Sequence, residues 1–334
     1  MKKNIHSEVN VMSAILCLCV ITIHLTATPV TQLMPGSFWH ILIFIINKAL
    51  VFSVPGFLFL SGFKLFSQYG QRDYDLKQFY VKRLRGVVLP YVICVLLYFV
   101  YYYAKHWAAI SSIPEFILLG TLASHFYYIV IAVQMYLLFP LLKKAVDRFP
   151  LIIAGLSFLS TLTFYAYVHF THSDRFAGTY LFFFVMGMLF RKYSLVDHCI
   201  RHFKIIIAVY LLFSVPHFAA LYRSFYGYGG YYSLANAATV IYDGIAICFI
   251  FALCTIACRK WDFAVRITQP LSQVSYFVYL YHMLPIIILQ YDLFPRFPLT
   301  PRQQFLISCV VIYSMVFLYA AANNRLKKKV KVTP

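Results

Sequence analysis

Apolar runs of membrane-crossing length, parted by short polar breaks, recur along the whole chain. A span needs roughly 20 mainly apolar residues. Ten segments meet or approach that length: 9–28, 38–60, 87–104, 124–142, 151–169, 176–191, 204–221, 237–257, 271–290 and 303–322. They lack the two-residue alternation of a membrane barrel strand, so the pattern predicts helices. The expected fold is an all-α polytopic membrane bundle of about ten transmembrane helices. No soluble domain stands out, and residues 1–334 read as one integral-membrane domain. The first run follows Lys2 and Lys3 as a secretory signal would, but further membrane runs come directly behind it, so a retained first span is expected.

Composition agrees with this reading. Hydrophobic residues make up 62% of the chain and charged residues 12%, well below the soluble norm of about 25% charged. The net charge of +19 raises the question of a nucleic-acid partner, and its distribution answers it. Threaded through ten spans, 23 of the 29 lysines and arginines fall on one side, five on the other (Lys105, Arg175, Arg223, Arg296, Arg302), and Lys48 falls within a span. The positive-inside rule makes the basic side cytoplasmic, puts both termini there, and accounts for the charge without nucleic acid. The chain is therefore expected as a multi-pass protein of a bacterial-type cell membrane, with basic inner loops against membrane lipids. The aromatic outer stretches 98–107 and 223–236 fit an interfacial belt, with a sugar-stacking surface as the alternative. The eight cysteines form no paired CxxC array, so neither a disulfide nor zinc is assigned.

Ionisable groups within spans are costly and are functional candidates by default. Five qualify: His24, Lys48, His125, Asp243 and His282. The three histidines fall in the middle or outer half of their spans, where they could line one cavity. Each has a plainer reading as a histidine bonded to a neighbouring helix or wetted at the interface, and Lys48 with Asp243 has one as an ion pair. No HxxxH or HxxE spacing supports a metal. Imidazole takes and returns a proton near neutral pH, so a histidine facing outward suits activation of a hydroxyl presented from that side. At the inner surface Lys82, Arg83 and Arg85 precede the third span. They suit lipid phosphates, or the phosphates of a cytosolic donor such as a coenzyme A thioester. Pro55 with Gly56, then Ser61 with Gly62, offer a kink and a close helix approach.

In order along the chain, a first span ending in Ile23 and His24, a Pro55-to-Gly62 element, a basic stretch into Pro-Tyr over Arg83 to Tyr91, a span from His125 to Pro140, Phe183 to Gly187, and Ser275, Tyr279, Leu280, His282 and Pro285 resemble the integral-membrane acyltransferase 3 family. More loosely, they resemble its branch that modifies bacterial intercellular-adhesion polysaccharide. Two positions depart from the family pattern. Ser13 stands where an arginine usually precedes the histidine by eleven residues, and Gly86 takes the second arginine's place in the basic motif. Lys48 is then a candidate for the missing positive charge.

The resemblance implies a membrane O-acyltransferase with no permanently bound cofactor, taking an acyl group, often acetyl, from acyl-CoA (acetyl-CoA) to a hydroxyl of an extracytoplasmic surface glycan or lipid-linked sugar. It implies His24 as base, with His282 or Tyr279 polarising the thioester carbonyl or orienting His24. Donor phosphates would fall to Arg83, Arg85 and Lys82, and the reading of the residues themselves adds His125, Lys48, Asp243 and Ser61 as cavity or substrate contacts. Two rivals remain: an exporter of a glycan or lipid-linked precursor, and an inactive family member in a polysaccharide assembly complex. An exporter explains buried polar residues but not the order of the motifs, and the inactive member is suggested by Ser13.

Overall fold

The computed structural model of the chain describes residues 7–227 and 232–332, and every long element in it is a helix. Lys2, Lys3, the 228–231 part of the aromatic outer stretch, and the side chains at 328–332 lie outside the described residues. In chain order the α-helices are α1 (Ser7–Gln32), α2 (Phe38–Ala49), α3 (Ser53–Tyr69), α4 (Leu76–Arg83), α5 (Leu89–Ala104), α6 (Ile113–Leu119), α7 (Tyr127–Arg148), α8 (Pro150–Ala166), α9 (Leu181–Lys192), α10 (Leu195–Arg201), α11 (Phe203–Phe225), α12 (Tyr232–Lys260), α13 (Asp262–Tyr281), α14 (Met283–Ile288) and α15 (Pro301–Val332).

Local chemistry sets many of these limits. Ser37 caps α2 by accepting from the His40 N–H at 3.3 Å, and Asp75 caps α4 by accepting from the Lys77 N–H at 2.9 Å. Pro114 and Pro150 sit in the first turns of α6 and α8, where a missing N–H costs nothing. Gly120 ends α6 in the left-handed region at φ 65°.

Among the described residues, seven segments are long and apolar enough to cross a membrane. An eighth follows if Asp262–Tyr281 and Met283–Arg296, bent by 46° at His282, count as one span. The expected spans 151–169 and 176–191 emerge as α8 and α9, only 17 and 12 residues long. These make about 26 Å and 18 Å of helix at 1.5 Å per residue, against a hydrocarbon core of about 30 Å. The shortfall has a local cause. The chain reaches α9 through two 3₁₀ turns, Ser173–Arg175 and Ala177–Thr179, whose backbone takes hydrogen bonds from Gln134, Ser160 and Thr179 side chains.

The helices group into two units. The first comprises residues up to 53 with 199–218 and 248 onward, and in it α1 lies against α2, α13 and α15. The second comprises 54–198 and 219–247. In it α3 and α9 cross closely at two glycines. A Cβ on Gly62 would stand 2.0 Å from the Phe184 carbonyl oxygen, and one on Gly187 would stand 2.0 Å from that of Phe59. Backbone meets backbone there, which only hydrogen side chains permit.

Candidate functional site

In the first unit α1 and α13 bring two of the sequence-picked histidines together. The rings of His24 and His282 stand 5.1 Å apart, tilted by 46°. His24 is half-buried, while His282 is 3% exposed. The His282 Nδ1 lies 2.8 Å from the Tyr279 carbonyl oxygen and 3.2 Å from that of Val278. Carbonyls only accept, so Nδ1 carries a hydrogen, and in the neutral form of the ring the lone pair lies at Nε2. Tyr279 thus acts on His282 through its backbone, with its ring 6.0 Å away.

The sequence around His282 makes this possible. Pro285 has no N–H to return to Tyr281, so the ladder breaks at His282 with the 46° bend. It re-forms as α14 and then widens into a π-helical turn, Leu289–Leu293, closed by the Phe294 N–H on the Leu289 carbonyl. Interrupted helices of this kind set side chains and backbone polar groups inside membranes, where continuous ones cannot.

A layer of neutral polar groups surrounds the His24 turn. The Asn47 amide, 7% exposed on α2, donates to the Ile23 carbonyl at 3.0 Å and to Thr26 Oγ1 at 2.9 Å. Gln290, on the π-helical turn, donates to Thr28 Oγ1 at 2.8 Å. Thr22 shares a hydroxyl contact of 2.6 Å with Tyr313 of α15. Three elements therefore grip the turn that carries His24. Screening for ionisable residues passes over Asn47, although it is next to Lys48. The usable signal is that an amide in an apolar run must find partners. Lys48 is half-buried, its ammonium 5.6 Å from the Phe44 ring centre. Ser13 lies three helical turns before His24 and is buried on α1. His40 and His217, at 0% and 3% exposed, are further enclosed imidazoles that the sequence reading left out.

In the second unit Arg83 stands out from its basic neighbours. Its guanidinium carbon lies 5.1 Å from the Phe79 ring centre, 5.6 Å from Tyr136 and 6.0 Å from Tyr69, a cation held among three aromatic faces. Lys82 and Arg85 are exposed. Arg85 sits in a π-helical turn, Leu84–Val88, whose closing bond runs from the Leu89 N–H to the Leu84 carbonyl. Pro90 supplies the cause, since it has no N–H for the Gly86 carbonyl. Ser61 is in hydrogen-bond contact with the hydroxyls of Tyr128 and Tyr136, which links it to the ring set around Arg83. Tyr74, in the loop before α4, has its phenol held above its ordinary pKa by burial and by Tyr80 and Tyr69, so its hydroxyl keeps its proton.

The remaining picks also belong to the second unit. His125 is 1% exposed between Tyr98 and Phe126, at ring distances of 5.8 and 4.3 Å. Asp243 is fully enclosed, and neither carboxylate oxygen meets a hydrogen-bond partner among the described residues. Arg175, assigned to an outer loop, donates from Nε to the Leu119 carbonyl at 2.6 Å and pairs with Asp174 at 2.7 Å.

An imidazole pair at a helix break and a caged cation beside a Ser-Gly helix crossing are the two candidate sites. A family model described as an acyltransferase domain matches residues 6–321. Neither a curated protein nor a solved structure gives a significant match.

Proposed function

The chain belongs to the membrane acyltransferase 3 family, and on that premise we propose that it moves an acetyl group from cytosolic acetyl-CoA to a hydroxyl of an extracytoplasmic polysaccharide or lipid-linked sugar. The orientation follows from the charge asymmetry of the loops, which makes the basic side cytoplasmic.

The observation that carries the reading is the 5.1 Å pairing of His24 and His282. In the direct form of the reaction His24 takes the proton of the acceptor hydroxyl as its oxygen attacks the thioester carbonyl. The C–S bond breaks, the ester C–O bond forms, and the proton passes from His24 to the departing thiolate. A neutral His282 with its hydrogen committed to the Tyr279 and Val278 carbonyls has only a lone pair to offer. That suits it to orient a ring N–H of His24 and not to polarise a carbonyl. Arg83, with Arg85 and Lys82, meets the phosphates of the donor.

His24→Ala tests the assignment directly. Mass spectrometry of surface glycan from cells carrying the variant should show the acetyl mass increment lost, with the protein still inserted and monodisperse. An unchanged acetylation level in those cells overturns it.

A further inference from the structure

Three polar atoms around the Arg83 cage are enclosed and reach no hydrogen-bond partner among the described residues: Tyr69 Oη, Tyr74 Oη and Arg83 Nε. They belong to one cluster. The Tyr69 and Tyr74 rings are 4.7 Å apart, both pack on Phe79, at 5.3 and 5.5 Å, and the Arg83 guanidinium lies over Tyr69 and Phe79. The Lys143 ammonium adds a second cation, 5.8 Å from the Tyr74 ring centre. No carboxylate among the described residues forms an ion pair with Arg83, and the nearest in sequence, Asp75, is occupied as the cap of α4.

An enclosed donor left unsatisfied costs the full desolvation of the group, so native proteins seldom hold several together without a use for them. Two phenol hydroxyls, a guanidinium N–H and an ammonium are all donors. Their common complement is an anion with several acceptor oxygens, and the fork of Arg matches a phosphate best among these. The rings exclude water and strengthen each of these bonds.

We infer that Tyr69, Tyr74, Arg83 and Lys143 form a phosphoryl-binding subsite, with the two tyrosine hydroxyls as donors to the phosphate oxygens. Under the proposed function, on which this identification of the ligand rests, the phosphate belongs to the coenzyme A donor. The same chemistry is offered by a phospholipid headgroup, and the two sources can be told apart.

The full-length protein in phosphatidylcholine nanodiscs is titrated with coenzyme A, and with pantetheine, which has no phosphate. Tyr69→Phe and Tyr74→Phe keep ring packing and remove one donor each. Each should weaken coenzyme A binding about 10-fold, as expected for a hydrogen bond to a charged group, and leave pantetheine unaffected. Tyr80→Phe serves as control, because the Tyr80 hydroxyl donates to the Leu137 carbonyl at 3.3 Å. If wild type ignores coenzyme A but prefers phosphatidylglycerol over phosphatidylcholine, and the two Phe variants abolish that preference, the subsite stands with a lipid ligand and the donor reading falls. If Tyr69→Phe and Tyr74→Phe change neither binding, the subsite is overturned, and the donor reading survives if Arg83→Ala still weakens coenzyme A.

Discussion

Adding one methyl group at the α3–α9 crossing should cost far more than its size suggests. In Gly62→Ala the new Cβ meets the Phe184 carbonyl oxygen at 2.0 Å, and in Gly187→Ala it meets that of Phe59 at 2.0 Å, where ordinary contact begins at 3.4 Å. The obstacle is backbone in both cases, so no rotamer change relieves it, and the helices must part by about 1.4 Å. A gap of 0.5–1 Å already forfeits roughly a quarter to a half of each van der Waals contact. The seam that opens contains Phe59, Phe63, Phe184 and Met188, each at most 4% exposed. A loss of about 3 kcal/mol for either variant is the expected scale, a fall in Tm of roughly 5 °C or more. Because both methyl groups act on one crossing, the double variant should cost clearly less than the two single losses added. Thermal melting of the detergent-purified protein by fluorescence-detected size exclusion measures this. Gly155→Ala on α8 is the control, since nothing stands within 4 Å of a Cβ there. If Gly62→Ala and Gly187→Ala melt with that control, the crossing is not as close as described and the reasoning fails.

Other variants address the two centres. Asn47→Leu removes both bonds to the His24 turn at similar volume. It should lower kcat about 10-fold with little change in KM and cost roughly 1–3 kcal/mol of stability, and an unaltered kcat in a glycan acetylation assay would show that Asn47 does not position His24. Pro285→Ala restores an N–H for Tyr281 and should straighten the break, leaving a folded protein whose acetylation falls at least about 10-fold; full activity would mean that the bend at His282 is incidental. Asp243→Asn replaces an enclosed carboxylate that meets no hydrogen-bond partner among the described residues by a neutral isostere and should leave Tm unchanged or raise it by an amount worth about 1 kcal/mol, whereas a clear drop would reveal a partner for the charge.

His24 and His282 were legible as candidates because ionisable groups in apolar runs are few; their pairing and the break at His282 were not, since 271–290 reads as one span and three histidines, His125 included, were expected to line one cavity. The Ser61-Gly62 element was legible as a site of close approach, whereas Phe183 to Gly187 stood out only as part of the family resemblance. That each glycine lies on the other's helix was not legible, since spacing within one helix says nothing of its neighbour. Asn47 and Gln290 escaped because a neutral amide carries no charge to draw attention, although it has the same need for partners. Tyr69 and Tyr74 escaped for the opposite reason: among 28 tyrosines, two more read as membrane-interface aromatics. The short α9 was hidden in the composition, because hydropathy over 176–191 does not reveal that the backbone spends its first residues in 3₁₀ turns bonded to Gln134 and Ser160.

The π-helical turn at Leu84–Val88 makes the length of this segment a fixed quantity. A π turn amounts to one residue inserted into an α-helix, so deleting Gly86 would return the ladder to ordinary register and turn α4, with Arg83 on it, by about 100° relative to α5 while advancing it by about 1.5 Å. Arg83 would swing off the faces of Tyr136 and Tyr69 with no change in its identity or charge. The interval between Arg83 and Pro90 is thus part of the site in its own right, and a homologue carrying the same residues one position closer together would not inherit the same cage.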